Sequence, residues 1–359
     1  MTKIGLYFNE SNTNRFISIQ REVIEQLGYH TIEIDSKNAD EVIISSNDKP
    51  KAIVFNWLEN GLGKTSLDVL EHYLHWHRRL LYCKKNSIKI ITLFHNRAPH
   101  TSSFKRKIIS KKFYRYLLNL SDAIVLLTDY SRAYLKTYIP DWSADRIVTI
   151  PHPNYIGVYG EDRCPNRISC DKMTILYLGL VRGYKNVDII CEIAKDFIDK
   201  PIEFVIRGKV TNKESMERLQ DHKPQNVTII PGFIPDKELG NVLKSSDIIL
   251  LPYDVNSALN SGTAMLAFSY GKSVICPRIA TVLDYPDDLN YLYDYTNRQE
   301  HIDRLKIQVL KAYHDWSDDR QRFEDKGNQL LQIVCDKNSK ETVSQGYERL
   351  FAYLELREK

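Results

Sequence analysis

The sequence predicts an α/β protein built as two successive doubly wound parallel sheets. Three observations lead there. Short apolar runs alternate with helix-spaced segments almost from end to end. That rhythm breaks once, in a Pro-, Gly- and Asn-rich stretch at 151–171, and then restarts. The 359 residues exceed what one ordinary core accommodates, and they suit two domains of roughly 150 to 200 residues each.

In order, KIGLYF, TIEI, KAIVFNW, IKIITLFH, DAIVLL and RIVTIP read as strands of a first sheet. Helical spacing fills 15–27 and 67–82 between them. Strand, helix, strand in this order implies right-handed crossovers and a parallel sheet. The stretch PHPNYIGVYGEDRCPNRISCD reads as an interdomain connection. KMTILYLG, IEFVIRG, VTIIPG, DIILLPY and SVICP then supply a second sheet, and 339–356 reads as a last amphipathic helix. The expected divisions are a Rossmann-like domain over 1–155, a second over 156–335, and a terminal helix within 336–359 packing back toward the first.

Composition narrows the class. Hydrophobic residues make up 43% and charged residues 27%, a globular balance that excludes a disordered chain. No apolar run approaches the roughly 20 residues that span a bilayer. MTKIGLYFNE enters a strand directly, with no signal-like segment. The six cysteines are scattered, with no CxxC pair, and read as reduced thiols of a cytoplasmic protein. Charge is uneven. Residues 1–150 hold 22 Lys/Arg and 15 Asp/Glu, a net of +7, whereas the remainder holds 28 and 31, a net of −3. The first half is therefore the one expected to face an anionic partner.

Four segments of the second half share one form: an apolar strand, a turn with Gly or a basic residue, then a helix. ILYLGLVRGYKN sets Gly179, Arg182 and Lys185 after a strand, and FVIRGK does the same for Arg207, Gly208 and Lys209. VTIIPGFIPDKEL places Gly232 and Phe233 before a helix start. DIILLPYDVNSALNSGTAMLAFSYGK places Tyr253 at a strand end and Asn260, Ser261, Gly262 and Thr263 where a helix begins. A diphosphate needs exposed N–H groups at a helix N-terminus, which 261–263 can supply, and fixed cations, which Arg182 and Lys185 can supply. The same groups would stabilise charge developing on a leaving diphosphate.

These motifs, in this order, resemble the donor-binding domain of GT-B glycosyltransferases over residues 172–278: Gly-x-x-Arg-x-x-Lys, Pro-Gly-Phe, Leu-Pro-Tyr and Gly-Lys-x-Val-Ile. The likeness extends more loosely over the whole chain, through HNRAPH and IPHPN, and is nearest to bacterial transferases that build capsule, exopolysaccharide or lipid-linked glycans. It implies two Rossmann-like domains facing a cleft, and a UDP- or GDP-sugar as substrate, with no cofactor. Arg182, Lys185 and 261–263 would hold the diphosphate, Arg207 would add to the donor site, Tyr253 and Asn260 would meet the sugar or ribose, and Phe233 would lie by the base. One departure stands out. Many retaining members carry two glutamates eight apart before the Gly-Lys strand; counted back from Gly271-Lys272, those places hold Ala258 and Leu266. Transfer of a hexose with retention is favoured over inversion, on family likeness alone.

In the first half, IKIITLFHNRAPH puts His95 and Asn96 at a buried strand end, with His100 beyond. By the same resemblance His95 contacts the transferred sugar, as base or hydrogen-bond donor, and Asn96 meets the acceptor. Asn9, Glu10 and Asn12 follow the first strand, where acceptors are usually met, and Glu10 is the carboxylate suited to a general base. His152 lies where the chain crosses between domains. From Arg97 to Asn119 there is no acid; Lys105, Arg106, Lys107, Lys111, Lys112 and Arg115 interleave with apolar residues. That reads as a basic amphipathic helix lying on an anionic membrane and meeting a polyprenyl-linked acceptor. The expectation is a cytoplasmic protein, peripheral on the inner face of the plasma membrane, in surface polysaccharide or glycoconjugate synthesis.

Other readings fit less well. GLGKTS at 61–66 suggests a phosphate loop but has Leu58 where the first Gly is needed. No Asp-x-Asp occurs, so a metal-independent mechanism is expected, with Arg182 and Lys185 in place of a cation. A sugar-nucleotide 2-epimerase would share the architecture without needing the basic helix. A nucleic-acid-binding protein would explain that helix but not the ordered donor loops, so no nucleic-acid partner is expected.

Overall fold

The computed structural model describes residues 1–8, 15–60, 65–97, 104–141, 143–160, 171–181, 185–210, 217, 219–221 and 223–356. Two compact units emerge. The first comprises Met1–Pro153 together with Asn338–Lys359, and the second Asn154–Lys337.

The first unit is a six-stranded, all-parallel sheet. Its strands are β1 Lys3–Tyr7, β2 His30–Ile34, β3 Ala52–Phe55, β4 Lys89–Phe94, β5 Ala123–Leu126 and β6 Ile147–Thr149, in the spatial order β2-β1-β3-β4-β5-β6. AIVF of β3 and AIVL of β5 are buried at every residue, as a parallel strand covered on both faces requires. The helices of this unit are α1 Arg15–Gln26, α2 Ser66–Lys85, α3 Phe104–Leu120 and the short α4 Arg132–Leu135. α2 starts at a capping box in which Thr65 and Asp68 each bond the other's backbone N–H, satisfying two donors that the helix itself leaves open.

The second sheet is also all parallel. Its strands are β7 Met173–Leu178, β8 Ile202–Gly208, β9 Val227–Pro231, β10 Ile248–Leu250, β11 Val274–Pro277 and β12 Tyr291–Tyr293, ordered β12-β11-β10-β7-β8-β9. Its helices are α5 Asp188–Ala194, α6 Asp236–Lys244, α7 Gly262–Ser269, α8 Ala280–Leu283, α9 Arg298–Asp318 and α10 Arg320–Lys337. α10 lies tightly on the end of α7: a Cβ built on Gly327 would stand 2.0 Å from the Gly271 carbonyl oxygen, and Gly271 itself turns at φ +64°. A side chain at Gly327 would force the two segments apart, whereas one at Gly271 would meet neighbours no closer than 3.5 Å and be opposed only by its backbone conformation.

The last helix, α11 Lys340–Tyr353, is capped by Ser339 and belongs to the first unit. Tyr347 bonds Gln20 of α1, Lys340 pairs with Glu22, and Phe351 packs on Tyr29. The stretch read as the interdomain connection is packed in its first part. Tyr155 is buried, and its N–H donates to Ser269 Oγ at 2.9 Å within the second unit.

Each sheet has one place where successive strands change direction of travel. In the first sheet it lies between β1 and β3, and in the second between β7 and β10. Loops leaving the carboxyl ends of such neighbours splay apart and leave room for a ligand.

Candidate functional site

The switch point of the second sheet gathers most of the donor residues read from the sequence. Three glycines end its strands. Gly179 after β7, Gly208 at the end of β8 and Gly232 after β9 take φ of +139°, +153° and +132°, a region open to glycine and strained for other residues. Gly208 also lies against backbone: a Cβ there would fall 1.8 Å from the Gly179 carbonyl oxygen. The strand ends can therefore turn sharply while staying close.

Lys185 follows the β7 loop and Tyr253 follows β10, so the two come from neighbouring strands. Lys185 Nζ stands 3.8 Å from the centre of the Tyr253 ring, a cation–π contact. The Tyr253 hydroxyl lies 3.1 Å from Ser261 Oγ, and that oxygen accepts the N–H of Ala264 at 3.1 Å, making Ser261 the N-cap of α7. The Ser261 N–H donates to Thr281 Oγ1 at 2.9 Å, and the Thr281 hydroxyl turns toward Asn260 Oδ1 at 3.5 Å. One connected set, Lys185–Tyr253–Ser261–Thr281–Asn260, thus ties the β7 loop to the start of α7.

This geometry corrects two expectations. Ser261 does not offer its N–H outward, because Thr281 already accepts it. The amides of Gly262 and Thr263, at half-buried residues, are the ones without an acceptor inside the helix. Tyr253, only 2% exposed, underlies the site rather than lining it. Behind it, the Tyr295 hydroxyl donates to the Tyr253 carbonyl at 2.8 Å and accepts the Val255 N–H, while its ring stacks on His301 at 4.0 Å. Burial holds His301 down to about 4, so it is neutral packing. Thr281 and Tyr295 are positioning residues that the sequence reading missed.

The remaining donor residues stand apart from this set. Arg207, on β8, lies 3.4 Å from Glu238 of α6 and is partly exposed. Phe233 is 70% exposed beyond the Gly232 turn. Ala258 and Leu266, at the places of the missing glutamates, are both buried. Arg182 lies outside the described residues.

In the first unit, the loop after β3 and the loop after β4 form a second cluster at the carboxyl edge. His95 is buried, with Nε2 2.9 Å from Asn56 Oδ1, and Asn56 Nδ2 donates to Gln20 Oε1 at 2.9 Å. That direction puts the proton on Nε2 and the ring's acceptor lone pair on Nδ1. Trp57, at φ +54°, stacks on His95 at 4.2 Å, and Phe16 meets His95 and His152 edge-on or tilted. Burial, with His152 nearby, lowers His95 to about 3; burial lowers His152 to about 4. Burial thus favours the neutral ring, whose Nε2 is engaged with Asn56. His152 Nδ1 faces the Pro153 carbonyl at 2.7 Å.

Glu59 was invisible in the sequence. It is wholly buried, its Oε1 accepts from Asn96 Nδ2 at 3.1 Å, and among the described residues its Oε2 has no hydrogen-bond partner. Burial pushes its carboxyl up to about 7, and it in turn adds to the rise of the Tyr114 and Tyr138 phenols. Asn96 is therefore held by a carboxyl group whose neutral form burial favours. Asn9, Glu10, Asn12, His100 and most of the GLGKTS segment lie outside the described residues.

α3 departs from its expected use. Phe113, Tyr114, Leu117 and Leu118 are core: Phe113 stacks on Tyr73 of α2 at 4.1 Å, and Tyr114 on Phe94 at 5.6 Å. Those four residues are thus committed to packing within the first unit, while Ile108 stays 43% exposed. Lys105, Lys107, Lys111, Lys112 and Arg115 face solvent, with Arg106 half-buried. Among the described residues no helix is long and apolar enough to cross a membrane, and no cluster of metal-ligating side chains occurs.

Comparison with known proteins bears on both units. Residues 160–329 match the family model described as Glycosyl transferases group 1. Over 105 residues the chain is 25% identical to a GDP-mannose:glycolipid 4-beta-D-mannosyltransferase of Xanthomonas campestris pv. campestris, covering 29% of this chain and 30% of that relative. The chain therefore matches about a third of the length of its curated relatives. In solved structures, it is similar to sucrose-phosphate synthase from Thermosynechococcus elongatus, with TM-score 0.73, 12% identity, and 98% of this chain and 100% of that chain covered. It is also similar to Anabaena Alr3699/HepE in complex with UDP-glucose, with TM-score 0.69, 11% identity and coverage of 98% and 100%. The chain has the GT-B glycosyltransferase fold that the motifs of its second half led one to expect.

Proposed function

We propose that this chain transfers a hexosyl group from a nucleotide-sugar donor to a glycan or lipid-linked acceptor, in the synthesis of a bacterial surface polysaccharide or glycoconjugate. One observation carries the reading: Lys185, Tyr253, Ser261, Thr281 and Asn260 converge at the switch point of the second sheet, beside the two open amides of α7. The group 1 match covers this same region.

In this reading the Gly262 and Thr263 N–H groups and Lys185 take the diphosphate, joined by Arg182, and stabilise the charge that grows as the glycosyl bond breaks. Such fixed donors do the work of a cation, so the proposed mechanism is metal-independent. Asn260 meets the ribose or sugar. The exposed Phe233 ring stacks on the base, and Arg207 adds positive charge at the same strand edge. In the first unit, Asn96 and His95 bind through neutral hydrogen bonds, Asn9 and Asn12 add acceptor contacts, and Glu10 is the general base should the reaction invert. The basic face of α3 brings the protein to an anionic membrane where a lipid-linked acceptor resides.

The test is turnover. The protein is incubated with UDP-, GDP-, ADP- and dTDP-hexoses, with and without a bacterial glycolipid extract, and released nucleoside diphosphate is measured. Acceptor-dependent release from one donor supports the proposal. No release and no thermal stabilisation by any nucleotide would sink it, and interchange of sugar epimers without acceptor would favour an epimerase.

A further inference from the structure

The outward side of α2 carries a leucine stripe that the fold leaves uncovered. Leu67, Leu70, Leu74 and Leu81 are 76%, 43%, 60% and 47% exposed. At about 100° per residue they fall within an arc of about 60°. The opposite face holds Val69, Tyr73, Trp76, Leu80 and Cys83, all buried. The helix is therefore apolar on two sides, and only one of them is core.

α3 lies alongside. His77 of α2 meets the Tyr116 ring at 4.9 Å, and Tyr73 of α2 stacks on Phe113. His77 borders the leucine stripe, so the stripe faces outward on the side toward α3. There α3 presents Lys105, Lys112 and Arg115, with Ile108 43% exposed among them. α2 adds the exposed Lys85 and the exposed Arg78, which lies 3.5 Å from Asp40, against Asp68 and Glu71 near its start. Asp68 is committed to the capping box.

We propose that α2 and α3 form one composite docking surface for an anionic lipid bilayer, with the α2 leucines entering the headgroup region and the α3 cations pairing with lipid phosphates. The proposal deepens the membrane part of the proposed function and rests on it. Charge complementarity selects this occupant. A stripe meant for a second copy would face the same basic helix across a symmetric contact, setting like charges together, whereas an anionic bilayer satisfies both the cations and the leucines. It also resolves how a basic helix whose own apolar face is buried can hold to a membrane: its neighbour supplies the apolar contact.

The experiment is co-sedimentation with vesicles of phosphatidylcholine, alone or mixed with phosphatidylglycerol, with nucleoside diphosphate binding measured on the same samples. The wild-type chain should partition onto anionic vesicles. Leu70→Ser/Leu74→Ser/Leu81→Ser should weaken that partitioning about 10-fold and leave the remainder salt-sensitive. Lys105→Glu/Lys112→Glu/Arg115→Glu should remove the preference for anionic lipid. Because all six side chains are exposed or on the outer face, folding is preserved, and nucleotide binding should stay unchanged in both variants. Wild-type partitioning by the leucine variant would overturn the proposal. So would absence of wild-type binding to anionic vesicles, or a lipid-free dimer that the leucine changes dissolve. Nucleotide binding without vesicle binding would sink the surface alone; vesicle binding without any nucleotide binding would sink the transferase reading.

Discussion

Lys185 Nζ rests 3.8 Å above the ring of Tyr253, whose hydroxyl reaches the N-cap of α7 at Ser261. Two strands that are distant in sequence but adjacent at the switch point thereby fix a cation beside the open end of a helix. Lys185→Ala should lower kcat/KM about 100-fold, the scale of losing a preorganised charge on a leaving group. Tyr253→Phe keeps the ring under the lysine and should cost much less. Steady-state kinetics on the two variants check this; equal losses would contradict the ranking.

Ser261 is a structural cap more than a ligand contact. Ser261→Ala removes the acceptor for the Ala264 N–H and leaves the Tyr253 hydroxyl unpaired, so unfolding should become easier by about 1 kcal/mol or somewhat more. Denaturant melts measure this. Asn260→Ala, at a half-buried neighbour, should change stability less and donor KM more.

Gly208 and Gly232 share a positive φ but differ in surroundings. A Cβ on Gly208 meets the Gly179 backbone at 1.8 Å, while one on Gly232 meets nothing within 4 Å. Gly208→Ala should therefore destabilise by more than about 3 kcal/mol, whereas Gly232→Ala should cost about 1 kcal/mol of backbone strain. Comparable melting temperatures for the two variants would contradict this reading of the strand ends.

Glu59 imposes a pH dependence whose sign follows from its raised carboxyl, about 7 when folded against an ordinary 4.5. Between those values the folded chain holds the extra proton, so stability falls as pH rises through that window and stays lowered above it. The whole effect is about 3 kcal/mol at most. Buried His95 and His152 act the other way, since their values of about 3 and 4 lie below the ordinary 6.5 and stability falls as pH drops under it. Glu59→Gln removes only the first effect. The melting temperature of Glu59→Gln minus that of wild type should therefore grow from about pH 5 to about pH 8. A constant difference would place the ionisation elsewhere.

Much of the fold was legible because parallel strands covered on both faces are nearly continuous apolar runs. MTILYL, AIVF and AIVL announce themselves, and Arg15–Gln26 and Ser66–Lys85 arise where helical spacing is read. β12 was not read because three residues, YLY, are too short for a periodic signal. The donor motifs were legible as a set, but their directions were not. A Ser before a helix looks the same whether its N–H faces a ligand or, as here, Thr281. Glu59 carried no signal in WLEN, since its burial depends on Asn96 and α3 arriving from elsewhere in the chain. In LDVLEHYLHWHRRLL both helix faces are apolar, and only packing tells Trp76 from Leu74.

Calorimetric titration of UDP and GDP into the wild-type chain and Lys185→Ala tests the proposed donor site most directly. One of them should bind saturably at a single site, with affinity weakened at least about 10-fold in Lys185→Ala and unchanged in Glu59→Gln. No binding of either nucleotide by the folded wild-type chain, or equal affinity in Lys185→Ala, would contradict that site.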